Sequence, residues 1–342
     1  MREVVMRRLV LALSLCSLFA CGKDPNTGGG GDGADAGFTG ETYSLSWGPV
    51  DVPPGHEDTQ CIWLRLSNTT EIKVHSMHDV LSGGSHHLIV YKDDMDTTEQ
   101  TTPVACQPFT GALNTSGMIA PIVITQKADD KIFLPDGVAY TFAPHQMVKL
   151  EMHYINTTDT NEAVSANVDF FAADPATIHD EAAILFTGSM DISLPPGVTT
   201  TLHQFFQVPS YLDLSKSKIY AMTGHTHHLG TSVKVAVGTS KTGPFTDVYA
   251  PDPFSWAEPE TKQFAQPLSI PVGGGMDMTC SWNNTTTATV KFGESATDEM
   301  CFFWAYYYPS QGSKVCVHTD QYNGVNICCP GDSLCSYITS QF

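Results

Sequence analysis

The sequence predicts an all-β fold, and three features of it say so. From about Thr42 onward, Gly, Pro, Asn and Asp break the chain at roughly the eight-to-twelve-residue spacing of short strands. Between the breaks lie β-branched and aromatic runs at 61–66, 87–91, 147–155, 166–172, 218–222, 232–237, 287–292 and 302–308. Several alternate polar and apolar side chains, as half-buried antiparallel strands do. No amphipathic pattern of helical period continues beyond two turns. The expected architecture is therefore sheets packed on sheets.

With 342 residues the chain is long enough for two such units, at about 150 residues per domain. Asp174-Pro175 and the acidic residues around them interrupt the strands near 173–181, which places a boundary there. The expected organisation is a targeting signal at 1–20, a glycine-rich tether at 21–41, β-sandwich domains at 42–176 and 177–315, and a cysteine-rich tail at 316–342.

The first segment carries Arg7 and Arg8 ahead of an apolar run from Leu9 to Phe19, too short to span a bilayer as a mature helix. It ends Leu18-Phe19-Ala20-Cys21, which resembles the lipidation site of bacterial lipoproteins. Cys21 would then carry the lipid and be the only link to a membrane. Gly22, rather than aspartate, follows it, favouring the outer membrane. The stretch to Gly40 has almost nothing apolar to bury and reads as a flexible leash. The rest of the chain is expected outside the cytoplasm.

Seventeen basic against thirty-six acidic side chains give a net charge of -19. No basic stripe offsets it, so nucleic acid is excluded as a partner. Of ten cysteines, Cys16 and Cys21 belong to the signal and the lipid. The even remainder is Cys61, Cys106, Cys280, Cys301, Cys316, Cys328, Cys329 and Cys335, which in an exported chain suggests disulfides. Cys328 and Cys329 are not expected to bridge each other, because a vicinal bond strains the backbone.

Histidine placement carries the chemistry. Gly83-Gly84-Ser85-His86-His87 leads into a strand. Neighbouring strand side chains point to opposite faces, so both imidazoles can reach one ion only if the backbone kinks, which the glycines permit. In Glu151-Met152-His153-Tyr154, Glu151 and His153 share a face. In His225-Thr226-His227-His228-Leu229-Gly230, His225 and His227 share a face at a spacing that lets two imidazoles chelate one ion, while His228 points away. In Asp298-Glu299-Met300-Cys301, Met300 shares its face with Phe302, Trp304 and Tyr306. A thioether beside imidazoles selects Cu(I).

Taken in order, these four elements resemble the copper type II, ascorbate-dependent monooxygenases over roughly Cys61 to Cys316. The resemblance implies two jelly-roll-like domains, with one copper on each side of a cleft between them. His86, His87 and His153 would hold one ion. His225, His227 and Met300 would hold the other, where O2 is activated and a substrate C–H bond hydroxylated with electrons from ascorbate or a similar reductant. It also implies disulfides Cys61–Cys106 and Cys280–Cys301. Glu151-Met152-His153-Tyr154 and the stretch from Glu299 to Cys316 are similar to the dopamine-hydroxylase branch.

The chain departs from the peptide-amidating branch. Thr223, Phe302 and Trp304 stand where that branch has an arginine, an asparagine and a tyrosine to grip a carboxylate, and without the guanidinium there is no bidentate partner for one. Thr223, Phe302, Trp304 and Glu151 share strand faces with the ligands and are expected to line the substrate side. The alternative reading is a non-catalytic, copper-sequestering surface lipoprotein with the same ligands and no substrate pocket.

Overall fold

The computed structural model describes residues 40–107, 117–320 and 324–338. The signal, Cys21 and the tether lie outside the described residues. Strands dominate: the expected runs at 147–155 and 302–308 are the strands Met147–Ile155 and Phe302–Tyr308, four of the others lie inside somewhat longer strands, and 61–66 overlaps Glu57–Arg65 in all but its last residue. The run 287–292 yields only the two-residue strand Val290–Lys291.

Two pairs of sheets form two sandwiches. In the first, Thr42–Val52, Glu162–Ala173, Ile72–Leu81, Val138–Phe142 and Asp180–Glu181 make the outer sheet, with Asp129–Phe133 also paired to Ile72–Leu81. The inner one runs Gln100–Ala105, Glu57–Arg65, Met147–Ile155, Ser85–Asp93, Ile119–Thr125. In the second, the inner sheet runs Thr261–Leu268, Lys218–His225, Phe302–Tyr308, Ala183–Ser189, Lys314–Thr319, Val325–Cys329. Thr199–Gln207, Gly275–Asn283, Gly230–Gly238 and Phe245–Tyr249 form the outer sheet. Residues Thr39–Phe342 cluster as one compact unit.

The inner sheets pack on each other, and this explains why Phe302–Tyr308 is apolar at successive positions. Along Phe302–Tyr308, Phe302, Trp304 and Tyr306 belong to a core shared with the first sandwich. Phe303, Ala305 and Tyr307 belong to the second sandwich's own core. A strand covered on both faces must be apolar at successive positions, not alternate ones. The Tyr306 hydroxyl meets the backbone of Ile124 across this interface, donating to its carbonyl (3.3 Å) and accepting from its N–H (3.2 Å). The alternation expected for Met300, Phe302, Trp304 and Tyr306 therefore decides which residues join the two sandwiches.

Both disulfides implied by the resemblance are present, Cys61–Cys106 and Cys280–Cys301, with Cys316–Cys328 and Cys329–Cys335 beside them. Adjacent Cys328 and Cys329 indeed take different partners. Much of the segment expected as a loop-rich tail is sheet: Lys314–Thr319 pairs in parallel with Ala183–Ser189 and antiparallel with Val325–Cys329. Cys316 and Cys328 lie in the core. Four disulfides among the described residues fit an oxidising, extracytoplasmic compartment. No helix among these residues is long and apolar enough to cross a membrane.

One buried carboxyl costs the first sandwich stability. Asp79 lies in Ile72–Leu81, is almost wholly buried, and its Oδ1 finds no hydrogen-bond partner among the described residues. Burial, then the charges of Asp130 and Asp169, push its pKa well above the carboxylate range. A carboxyl raised in the folded state contributes stability that is fully present below its unfolded value, near 4, and lost as pH rises through the folded value. Asp79→Asn is therefore expected to stabilise the protein by about 1–3 kcal/mol at pH 8 and much less at pH 4. Denaturant unfolding of both proteins at the two pH values checks this; an equal difference at both would contradict it.

Candidate metal centre

Five of the histidines singled out in the sequence converge where the inner sheets meet. His87 lies directly opposite His153 across neighbouring strands, and their ring centroids are 5.1 Å apart. The register shifts between Ser85 and His87, so the strand carries an irregularity at His86. That is the kink the sequence required, and it brings the His86 ring within 5.3 Å of His87 and 5.2 Å of His153. Gly84 makes the approach possible: its φ is +78°, and a Cβ there would lie 2.8 Å from the Glu162 carboxylate.

From the second sandwich, His225 ends the strand Lys218–His225 and His227 lies in the following turn, with ring centroids 5.1 Å apart. His86 is 6.2 Å from His225 and 5.8 Å from His227. The two expected ligand sets therefore face each other at close range instead of across an open cleft. His228 is exposed and turned away, as expected, its Nδ1 2.8 Å from the Ala296 carbonyl. Met300 is buried directly after Asp298 and Glu299, the two residues that hold His227.

The rings suit a metal. Burial drives His86 down to about 3 and His227 to about 4, with His87 and His225 also well below the ordinary imidazole range. All four are neutral at physiological pH, the form that ligates. His227 Nδ1 lies 3.0 Å from the Asp298 carbonyl and so donates to it, leaving Nε2 for a metal. His225 Nδ1 lies 2.7 Å from Gln126 Oε1, which frees its Nε2 in the same way. His153 instead places Nε2 2.9 Å from Glu57 Oε1, leaving Nδ1. His86 Nε2 is out of solvent with no hydrogen-bond partner among the described residues. Imidazole nitrogens suit copper among the first-row metals, and a thioether such as that of Met300 would shift the preference toward Cu(I).

Four supporting residues escaped the sequence reading. Glu57, from the first sandwich, also accepts the Ala296 N–H (2.7 Å) and the Ser295 hydroxyl (3.2 Å) of the second. Its bond to His153, with these, holds its carboxyl at about 2 despite burial. Gln126 likewise reaches across to His225. Glu299 accepts from the backbone N–H groups of His227 (3.0 Å) and Leu229 (2.7 Å) and from Trp282 Nε1 (2.9 Å), clamping the histidine turn. Trp256 hangs over the cluster's rim, partly exposed, 6.5 Å from His86 and 6.3 Å from His228. The acidic residue before Met300 was the one available signal. Glu57, Gln126 and Trp256 sit in unremarkable sequence.

The residues expected to line a substrate pocket are closed off. Glu151 is fully buried, its carboxylate taken by Lys149 Nζ (3.0 Å) and the Tyr91 hydroxyl (3.1 Å), so it serves a buried ion pair and presents no free carboxylate to an amine. Phe302 stacks on Phe186, and the Thr223 hydroxyl donates to Thr261. Trp304 comes nearest, its ring 6.0 Å from His225, but it is 2% exposed. Open space lies elsewhere, in a cleft of about 240 Å³ lined by Glu57, Asp58, Thr59, His153, Glu294 and Ser295.

Residues 180–326 match the family described as copper type II ascorbate-dependent monooxygenase, C-terminal domain. The chain carries a domain of this monooxygenase family. The match contains His225, His227 and Met300, and begins at the boundary where the first sandwich ends. Solved structures resemble the chain only distantly. A protein of Sulfolobus Turreted Icosahedral Virus is 10% identical over 79% of this chain, with a TM-score of 0.23. The chain spans 59% of that protein's length. The tandem CBM22 domain of Paenibacillus barcinonensis Xyn10C is 11% identical over 79% of this chain and 83% of its own, with a TM-score of 0.17.

Proposed function

We propose that the chain is a copper-dependent monooxygenase, hydroxylating a C–H bond of a small-molecule substrate with O2 and an external reductant such as ascorbate. The observation that carries this reading is the gathering of five buried histidines, four of them driven to the neutral form, beside the turn that leads into Met300. His86, His87 and His153 would hold one copper, and His225, His227 and Met300 the other. Bound copper supplies one-electron transfer and activation of O2, and the soft sulfur of Met300 favours the reduced ion.

The chain's own residues do the rest. Glu57, Gln126 and the Asp298 carbonyl each fix one imidazole, so the ligands meet a metal in a preset orientation. The stacked inner sheets exclude water from the cluster. Glu57 and Gln126 each tie a residue of one sandwich to the other, so the two sets of histidines are held together. Trp256 forms the solvent-side wall past which a substrate reaches the cluster. Lipidation at Cys21 would hold this machinery at the outer membrane, by its N-terminal end alone.

Oxygen uptake by the copper-loaded protein with ascorbate, run against phenethylamines, peptidylglycines and aromatic hydrocarbons, tests the reading. A hydroxylated product matched to the oxygen consumed is expected, with at least a ~100-fold loss in Met300→Ala (about 2.7 kcal/mol of barrier). Two tightly bound coppers with no product from any candidate would favour copper sequestration. Failure to bind two coppers would end the proposal.

A further inference from the structure

Away from the five-histidine cluster, a second group of metal-type donors has no part in the chemistry above. His318 lies in the strand Lys314–Thr319, between Ser189 on one neighbouring strand and Asn326 on the other. Its Nε2 is 3.3 Å from Asp320 Oδ1 and 3.9 Å from Asp191 Oδ2. One donor atom from each of the three residues lies within 4.8 Å of the others. We propose that Asp191, His318 and Asp320 form a third metal site, taking a divalent first-row ion of which zinc is the simplest example.

The hydrogen bonding around the imidazole argues for a cation. Asn326 Nδ2 donates to the Gln207 carbonyl (3.3 Å), which turns its Oδ1 toward His318 Nδ1, 2.8 Å away. Nδ1 therefore faces an acceptor, and Nε2 faces two carboxylates. One ring nitrogen and two carboxylate oxygens converging in this way are a donor set that a divalent cation takes. The chain Gln207–Asn326–His318 is also the kind of outer support that fixes the tautomer of a metal-bearing histidine. Among the described residues no lysine or arginine pairs with Asp191 or Asp320; the basic side chain beside them is His318 itself.

The spacing fits as well. Bonds of about 2.0–2.2 Å to zinc set its ligand atoms roughly 3.3–3.5 Å apart. Asp320 is already at that distance from Nε2, and Asp191 needs to close by only a few tenths of an ångström. The Asp320 N–H holds Asp191 Oδ2 at 2.9 Å, which draws the two carboxylates together. Gly324, at φ +68°, borders the group: a Cβ there would lie 3.5 Å from Asp320 Oδ1 and 3.9 Å from His318 Nε2. The Asp320 side chain is 80% exposed, so an ion and a completing water can reach the site. One nitrogen and two carboxylate oxygens make a harder donor set than imidazoles with a thioether, so zinc and copper would sort between the two centres. A bound ion would pin the turn after Ala183–Ser189 to the end of Lys314–Thr319.

Calorimetric titration of the full chain with Zn2+, after its histidine–methionine cluster is filled with Cu(I), tests the site. The wild type is expected to take up one zinc ion and to melt at a higher temperature with it. Asp320→Asn, a change on the surface, is expected to weaken zinc at least about tenfold and to abolish the melting shift. Asp191→Asn should do the same. Equal zinc uptake by the wild type and both variants would place the ion elsewhere and overturn the proposal. So would no uptake by the wild type at millimolar zinc.

Discussion

Glu299→Ala is expected to cost about 3–5 kcal/mol of stability and to strip copper from the His225–His227–Met300 set first. Its carboxylate accepts from three buried donors: the N–H groups of His227 and Leu229 and Nε1 of Trp282. Truncation leaves all three without an acceptor, at about 1–3 kcal/mol for each unsatisfied buried group, with less than full additivity. Two of these donors are backbone groups of the turn carrying His227, so the same loss that destabilises the protein frees a ligand. Glu299→Gln retains an acceptor oxygen but sets an amide N–H against another donor, and should lie between alanine and the wild type. Thermal unfolding with electron paramagnetic resonance of the copper-loaded variants separates the effects. One copper is expected to remain on His86, His87 and His153. A variant that melted within about 1 kcal/mol of the wild type, with both coppers in place, would show that the clamp is unnecessary.

Glu299 also marks where reading the sequence stops. The strands Met147–Ile155 and Phe302–Tyr308 were legible to the residue, because apolar runs bounded by turn residues have no other use in a chain without helical periodicity. The run 287–292 was misjudged for a local reason. Asn284 accepts the Thr286 N–H and hydroxyl on its Oδ1, while its amide donates to the carbonyls of Leu194, Pro195 and Ala288. The side chain takes over bonds a strand ladder would have made, and the β-branched threonines bend into a turn. Asn156 does the same in the first sandwich with Val52, Thr158 and Thr160. The two halves therefore share a structural device that sequence identity did not reveal. The histidines were legible because their spacing and order carry the signal. Glu57 and Gln126 were not, since their value arises only when the two inner sheets stack and bring residues 239 and 99 positions apart into contact.

Trp304→Ala is expected to destabilise the protein by about 3–5 kcal/mol, the usual cost of emptying a buried aromatic site, and to loosen His225. The indole is parallel to Phe186 at 6.0 Å and its other neighbour is the His225 ring, so it fills the space between the shared core and the cluster. Trp304→Phe distinguishes packing from substrate contact. Nε1 of Trp304 has no hydrogen-bond partner among the described residues, so phenylalanine surrenders no bond and only part of the volume. That variant should lose less than about 1.5 kcal/mol and keep both coppers. If packing is the residue's whole role, Trp304→Phe also keeps the wild-type KM for whatever substrate the enzyme accepts. A raised KM in a protein of near-normal stability would instead mean that the closed arrangement opens during turnover and presents Trp304 to the substrate. The two outcomes separate because stability and KM respond to different neighbours, Phe186 on the core side and the histidine cluster on the other. Denaturant unfolding of the two variants alone already tests the first half: a Trp304→Ala protein as stable as the wild type would remove the indole from the shared core.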